Sequence, residues 1–435
     1  MFVSIANDPR PYAWGSTTAI ADLLGREASG GPEAELWLGA TAGSPARITD
    51  PEQVGGCDDL AAWIEADPTA ALGVRLREER RLPFLMKVLA AASPLSLQAH
   101  PTLEQAVAGF ERESCAGVPL AAENRSYKDA SHKPELILAL SERFDVLCGF
   151  RPIEEARELV AGLRRLVAPD VGPRSDLFDP LAAHLAAAAS LRGAAAWLLS
   201  GSSEVDALVT HLVRLAGHAP GDDAPWCGEA LATVRELARE FPGDPGIVVA
   251  LLMNRVSLRR GEALYLAAGN IHTYVRGLGV EVMASSDNVL RGGLTHKHVD
   301  VPELLAVVDF DPLPVPYLEP DEPVPGVRIF RTGVTDFVLV HVDLLAQGVE
   351  LTLGGPAVVL VTRGEAQLAG RYGSRAVVRG GAVYVTPDEE RLHVHGDGEL
   401  FIATTGGSAL DVAASPEAGG RSGRSAEGGV ASVAR

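Results

Sequence analysis

The stretch "GEALYLAAGNIHTYVR", Gly261–Arg276, decides how the rest of the chain is read. It reads as a strand, a tight turn at Gly269, and a second strand opening on His272. A polar counterpart lies far upstream in "SLQAHPTLEQA", Ser96–Ala106. In a strand, residues i and i+2 share a face, so Gln98 and His100 project together while Leu97 and Ala99 face the other way. Pro101 ends that strand, and Thr102 with Gln105 makes a T-x-x-Q capping box that opens a helix. A Gln-x-His pair alone is more often a hydrogen-bonded polar spot on a half-exposed strand. Its meaning depends on what converges on it.

The 435 residues leave room for two or three domains, and a content of 47% hydrophobic and 22% charged residues is that of a globular chain. No long apolar run lacks charge, and the start has no basic segment followed by an apolar one, so neither a membrane span nor a secretory signal is expected. Cys57, Cys115, Cys148 and Cys227 form no C-x-x-C pair and fit reduced thiols in the cytoplasm. A net charge of −19 disfavours nucleic acid and anionic membranes as partners, but not a small anionic substrate, because local charge governs a pocket. Of 38 basic residues only Lys87, Lys128, Lys133 and Lys297 are lysines. All four fall near the polar motifs. A lysine is a compact point charge with a shiftable pKa, suited to a phosphate or to proton transfer.

Gly261, Gly269 and His272 also fit the second half of the cupin signature, with Ala267 in place of its proline. That resemblance makes His272 an inward-facing metal ligand. The expected fold is therefore mainly β: two cupin-like jelly-roll barrels with an α-helical insert domain. Residues 1–150 plus 243–315 form the catalytic cupin domain, 151–242 the Ala/Leu-rich helical insert, 316–410 a second cupin-like domain, and 411–435 a Gly/Ser-rich disordered tail. β character is expected to return at "IVVALLMNRVSLRRGEALYL", Ile247–Leu266.

Two further segments carry chemistry. In "SYKDASHKPELILAL", Ser126–Leu140, Pro134 pushes Lys133 into an extended conformation, and Glu135 opens an apolar strand. A carboxylate there is costly unless it is paired or bound to a cation. "SSDNVLRGGLTHK", Ser285–Lys297, packs Asp287, Arg291, His296 and Lys297 into a loop-like segment. Gln98, His100, Glu135 and His272 offer two oxygens and two nitrogens from three β segments. That set suits Zn²⁺, and other divalent ions less selectively. With one negative ligand the site keeps about one net positive charge, which favours an anionic or polyhydroxylated ligand. His393 and His395 in "ERLHVHG" share a strand face but have no matching carboxylate or third ligand, and are read as structural or surface residues.

On these residues the chain resembles the class I mannose-6-phosphate isomerases, or phosphomannose isomerases. The resemblance rests on "PYAWGS", "AELWLGA", "LPFLMKVLAAASPLSLQAHP", "SHKPELILAL", "EFPGDPGIVVALLMNRVSLRRGEALYLAAGNIHTY" and "GVEVMASSDNVLRGGLTHK", in family order from Pro11 to about Asp300. It implies one zinc ion per chain on Gln98, His100, Glu135 and His272, and an aldose–ketose isomerisation between mannose 6-phosphate and fructose 6-phosphate. It points to Arg291 as the active-site arginine. Ser96, Lys87, Lys133, Tyr274, Glu281, Asp287 and Lys297 fall on active-site or near-site positions. The chain departs from the family at Thr41, where a histidine is usual, and at His296, where a proline is usual.

Such a reaction passes through an enediol(ate). Asp287, Lys133 and Glu281 are its candidates for proton transfer, with Asp287 or Lys133 preferred, and Arg291 supplies fixed positive charge. Lys87, Lys297 and Ser96 are candidates for the phosphate. The expected partner is a small-molecule sugar phosphate, with neither nucleic acid nor membrane, and the expected state is a monomer. Two rival readings are an iron-dependent cupin oxygenase and a non-catalytic sugar-binding cupin. Gln98 as a fourth ligand and the surrounding lysines argue against the first, and the second would not need Lys133, Asp287 and Arg291 beside the metal.

Overall fold

The structure, a computed structural model, describes residues 1–166, 174–186, 190–218, 225–344, 348–406 and 410–414. Two sheets, of 11 and 9 strands, organise it. The 9-stranded sheet is built on one long strand, His272–Ala284. Its first half meets Leu97–Ala99 and Phe144–Phe150. Its second half lies between Phe84–Ala91 and Glu135–Ala139. Every segment singled out for chemistry upstream of residue 150 therefore pairs with the strand that begins at His272.

Register places the site. His272 is opposite Gln98, and Arg291 is opposite Gln98 on the other side. Glu281 faces Lys87, which in turn faces Trp37 on Glu35–Leu38. A register break between Tyr274 and Arg276 and a left-handed backbone at Gly277 (φ 143°) reverse the alternation of the long strand. Tyr274 and Glu281, an odd number of residues apart, so reach each other. Gly277 is also where the Phe144 ring packs, and an added Cβ would lie 2.5 Å from it. The capping box is present: Thr102 and Gln105 hold the start of the helix Leu103–Cys115 directly behind the Gln98–His100 segment.

The 11-stranded sheet gathers the strands between Asp321 and Ala414, and it also takes in Phe2–Ala6, which pairs with Ala382–Val385 and with Arg47–Ile48. Helices Ile153–Leu163, Asp179–Ala186, Ser190–Leu198, Ser203–His218 and Pro225–Glu240 lie between the strands Phe144–Phe150 and Met253–Leu258.

This is a mixed α/β fold, and it corrects the expectation of two cupin-like jelly-roll barrels. Neither sheet closes on itself: the strand orders run from one edge to another and end there. Glycine-divided, β-branched runs identify strands but not closure, which depends on whether the two edge strands meet. The segment Gly246–Leu251 is a second correction, since it is a helix and the strand begins only at Met253. All six of its residues are buried. Packing on every side overrides the β-preference of Ile247, Val248 and Val249. At the far end, Asp411–Ala414, the first residues of the segment expected to be a tail, pairs with Val349–Thr352. Residues 415–435 lie outside the described part. No described helix is long and apolar enough to cross a membrane.

Candidate active site

His100, Glu135 and His272 are buried together, with their ligand atoms all within 4.8 Å of one another. Glu135 bridges the two rings: Oε1 lies 3.4 Å from His100 Nε2, and Oε2 lies 3.1 Å from His272 Nε2. Each imidazole is oriented from behind. His100 Nδ1 sits 2.7 Å from the Asn288 carbonyl, and His272 Nδ1 sits 2.9 Å from the Asn270 carbonyl. A carbonyl only accepts, so both Nδ1 atoms carry the proton and both Nε2 atoms present a lone pair to the centre. Among the described residues His100 Nε2 has no hydrogen-bond partner. An orphaned, buried lone pair beside a carboxylate and a second lone pair fits a divalent cation and little else. Gln98 stands beside this triad. Its Nε2 lies 3.4 Å from His272 Nε2, and half a turn of the amide brings Oε1 to that place.

The local charges suit the same reading. Burial and the Lys133 charge push the His100 imidazole down to about 4, so it is neutral and able to ligate at ordinary pH. Burial alone would raise Glu135, but the Lys133 ammonium beside it holds its carboxyl well below the usual range. Lys133 Nζ is 2.9 Å from Glu135 Oε1.

Gln98 and Glu135 face a cavity of about 620 Å³, which Lys87, Ser96, Lys133, Tyr274, Glu281, Asp287, Arg291 and Lys297 also line. Each site residue read from the sequence thus belongs to one place, with His100 and His272 beneath its floor. Their states differ. Lys87 is buried, 3.0 Å from Glu281 and 3.7 Å from Glu35, with the Trp37 ring 5.1 Å below its ammonium. Burial would lower it, but those carboxylates raise it overall. Glu281 also accepts from the Tyr274 hydroxyl at 2.8 Å. Burial pushes the Glu281 carboxyl up, and Glu135 and Glu35 keep it there against the pull of Lys87. Lys87 is thereby committed to carboxylates. Arg291 and Lys297 are not: among the described residues neither has a carboxylate within 4.0 Å. Asp287 lies exposed at the rim. Its backbone N–H donates to Asp129, and its carboxylate has no hydrogen-bond partner among the described residues.

Several contributors were not apparent from the sequence. Glu35 and Trp37 enter by cross-strand register with Lys87, and Trp37 Nε1–H donates to Glu35 at 2.8 Å. Tyr12 and Trp14 stack at 5.7 Å on another wall. Asn288 is fully buried. Its amide accepts from the Lys128 and Asp129 N–H groups and donates to the Asp129 and Ser131 carbonyls, while its own carbonyl holds His100. It staples the segment leading to Lys133 and Glu135 onto His100. Of the two departures, His296 lines the cavity, 6.0 Å from the Phe241 ring, and Thr41 is buried away from it with its hydroxyl unpartnered among the described residues. His393 stands apart on Glu350, 3.3 Å away.

Residues 2–153 match the phosphomannose isomerase type I catalytic domain. The mannose-6-phosphate isomerase of Salmonella typhimurium is 36% identical over 399 residues, 91% of this chain and 97% of that one. The Homo sapiens mannose-6-phosphate isomerase is 33% identical over 385 residues, 78% of this chain and 85% of that one. Among solved structures, a holo, zinc-bound mannose 6-phosphate isomerase superposes with a TM-score of 0.80 at 34% identity, over 93% of this chain and 99% of that chain. The Salmonella typhimurium enzyme bound to its substrate and to zinc matches with the same figures. With this site geometry and this coverage, the chain belongs to the type I mannose-6-phosphate isomerase (phosphomannose isomerase) family.

Proposed function

We propose that this chain is a zinc-dependent aldose–ketose isomerase that interconverts mannose 6-phosphate and fructose 6-phosphate, with one Zn²⁺ per chain held by Gln98, His100, Glu135 and His272. The observation that carries the reading is the pair of carbonyl-oriented imidazoles, each turning a lone pair toward Glu135 beside a cavity that Arg291 and Lys297 line with no carboxylate within 4.0 Å of either among the described residues. When bound there, zinc supplies Lewis-acid charge that offsets the negative charge developing on the substrate oxygens.

The rest follows from the residues. Formal charges of Glu35, Glu135 and Glu281 against Lys87 and Lys133 leave the buried cluster one unit negative. A divalent ion reverses that sign, and Arg291 and Lys297 extend positive charge toward a phosphate of about two negative charges. Ser96 is the neutral donor for that group. In the forward direction a base takes the proton from carbon 2 of the open-chain aldose, and the carbon 1 carbonyl oxygen gains one. The enediol then loses the proton of its carbon 2 hydroxyl, and carbon 1 takes a proton. Asp287 is the carboxylate for carbon, because Glu281 has both oxygens engaged. Lys133, beside Glu135, moves the proton between oxygens. Arg291 stays charged throughout and stabilises the enediolate. Four cysteines spread along the chain with no C-x-x-C pair are consistent with work in the cytoplasm.

The test is a coupled assay for fructose 6-phosphate made from mannose 6-phosphate, run before chelation, after it, and after zinc is restored. Turnover that chelation abolishes and zinc returns is expected. A folded, zinc-loaded protein with no turnover would overturn the reading in favour of a binding protein.

A further inference from the structure

The segment "EFPGDPG", Glu240–Gly246, joins the helix Pro225–Glu240 to the short helix Gly246–Leu251 and contains none of the residues assigned to chemistry. It lies against the turn that carries the chain from Arg291 to Lys297. One carboxylate ties the two together. Asp244 Oδ1 accepts from the Gly246 N–H at 2.7 Å, and Asp244 Oδ2 accepts from the Thr295 N–H at 3.2 Å. Thr295 passes the constraint on, because its hydroxyl accepts from the Lys297 N–H at 3.1 Å.

The turn needs holding. Gly293 and Leu294 both adopt left-handed backbone, φ 124° and 52°, and Leu294 is fully buried. For a branched residue that conformation persists only where its surroundings impose it. The surroundings are backbone on backbone. A Cβ on Gly293 would lie 2.9 Å from Gly246 Cα, and one on Gly246 would lie 2.8 Å from Asp244 Oδ1 and 2.9 Å from the Leu294 nitrogen. Electrostatics also opposes the arrangement, since Arg291 and Lys297 line one cavity and, among the described residues, neither has a carboxylate within 4.0 Å. Burial and the Arg291 charge lower the Lys297 ammonium below its usual value.

We propose that Asp244 is a positioning residue for Lys297: its carboxylate fixes the Gly293–Thr295 turn and so sets where the Lys297 ammonium meets the phosphate of the substrate. The inference rests on the proposed function, in which Lys297 binds that phosphate. It gives the EFPGDPG segment a purpose that burial alone does not, because Asp244 is only half-buried and both its oxygens are spent on backbone N–H groups of the loop junction.

The experiment measures kcat, KM for mannose 6-phosphate, and competitive inhibition by inorganic phosphate in zinc-loaded wild type, Asp244→Ala, Asp244→Asn, Lys297→Ala and the Asp244→Ala/Lys297→Ala double variant. Loss of two hydrogen bonds to a charged acceptor is expected to raise KM and the phosphate inhibition constant about tenfold in Asp244→Ala, with kcat within about threefold. Asp244→Asn, which keeps one accepting oxygen, falls between. In the Lys297→Ala background, Asp244→Ala should add nothing, since the two act through one group. A lower melting temperature with KM and phosphate inhibition unchanged in Asp244→Ala or Asp244→Asn would overturn the proposal, as would full additivity in the double variant. Unchanged KM and phosphate inhibition in Lys297→Ala would instead sink the phosphate assignment to that lysine, and the two failures are separately legible.

Discussion

Each sheet buries a histidine against a glutamate, and the two pairs are built in opposite senses. In the 9-stranded sheet, His100 and His272 give their Nδ1 protons to backbone carbonyls, so their Nε2 lone pairs converge on Glu135. In the 11-stranded sheet, His341 Nδ1 accepts from Arg328 at 3.1 Å, so its Nε2 is the donor to Glu399 Oε1 at 3.0 Å. Arg260 and Thr362 complete the Glu399 oxygens. The second cluster therefore satisfies itself, whereas the first leaves an acceptor without a donor. Buried polar groups that close on one another specify packing, and a buried set that does not close awaits a ligand. What separates the two is the tautomer, which is set by the group behind each ring rather than by the histidine itself.

The widest separation between the clusters should come from truncating one ring in each. His272→Ala is expected to lower kcat/KM by about 10²–10³-fold or more, with matching loss of bound zinc by metal analysis. His341→Ala should leave kcat/KM within about twofold while costing about 2–4 kcal/mol in denaturant unfolding, because it strands a buried carboxylate. Equal activity losses would erase the distinction. Next in size is Arg291→Ala, which removes charge without touching a ligand. A fall in kcat of about 10²-fold at full zinc occupancy is expected, and near-normal turnover would remove Arg291 from the chemistry. Smaller again is Asn288→Ala, which loosens the carbonyl behind His100. Zinc affinity in a chelator competition should weaken about 10–100-fold. An unchanged affinity would mean that ring orientation does not depend on that staple.

The sequence carried the site further than the fold. The candidates Gln98, His100, Glu135 and His272, which the structure brings together, were legible because metal-ligating chemistry asks for particular residue types at particular places, and such constraints survive as local spacing. Lys87 was legible as a rare lysine, but its commitment to Glu35 and Glu281 was not, since register between strands leaves no mark on either strand alone. Asn288 was hidden for a related reason: what orients His100 is its backbone carbonyl, which every residue has. The barrels were wrongly expected because strand patterns report burial of faces and say nothing of whether edges meet. The Gly246–Leu251 helix was missed because an all-apolar run of six has no period to read.

The finest test of the comparison is the pH dependence of Glu399. Burial alone would raise its carboxyl, but hydrogen bonds from His341 and Thr362 and the nearby Arg260 charge hold it at about 2. An unfolded glutamate titrates near about 4.3. The folded value is the lower one, so the unfolded chain binds the proton more readily, and the stability due to the ionised group is fully present above that unfolded value. It is lost as pH falls toward 2. Glu399→Gln should therefore lie below wild type in melting temperature at neutral pH, and the gap should close between about pH 4.5 and 2, with kcat/KM at neutral pH unaltered. A gap that stays constant through that window would mean shape, not charge, holds the cluster together. A gap that closes would show that the second sheet uses its histidine–glutamate pair for stability alone, and that the free lone pair of His100, rather than the pairing of histidine with glutamate, is what marks the first sheet for catalysis.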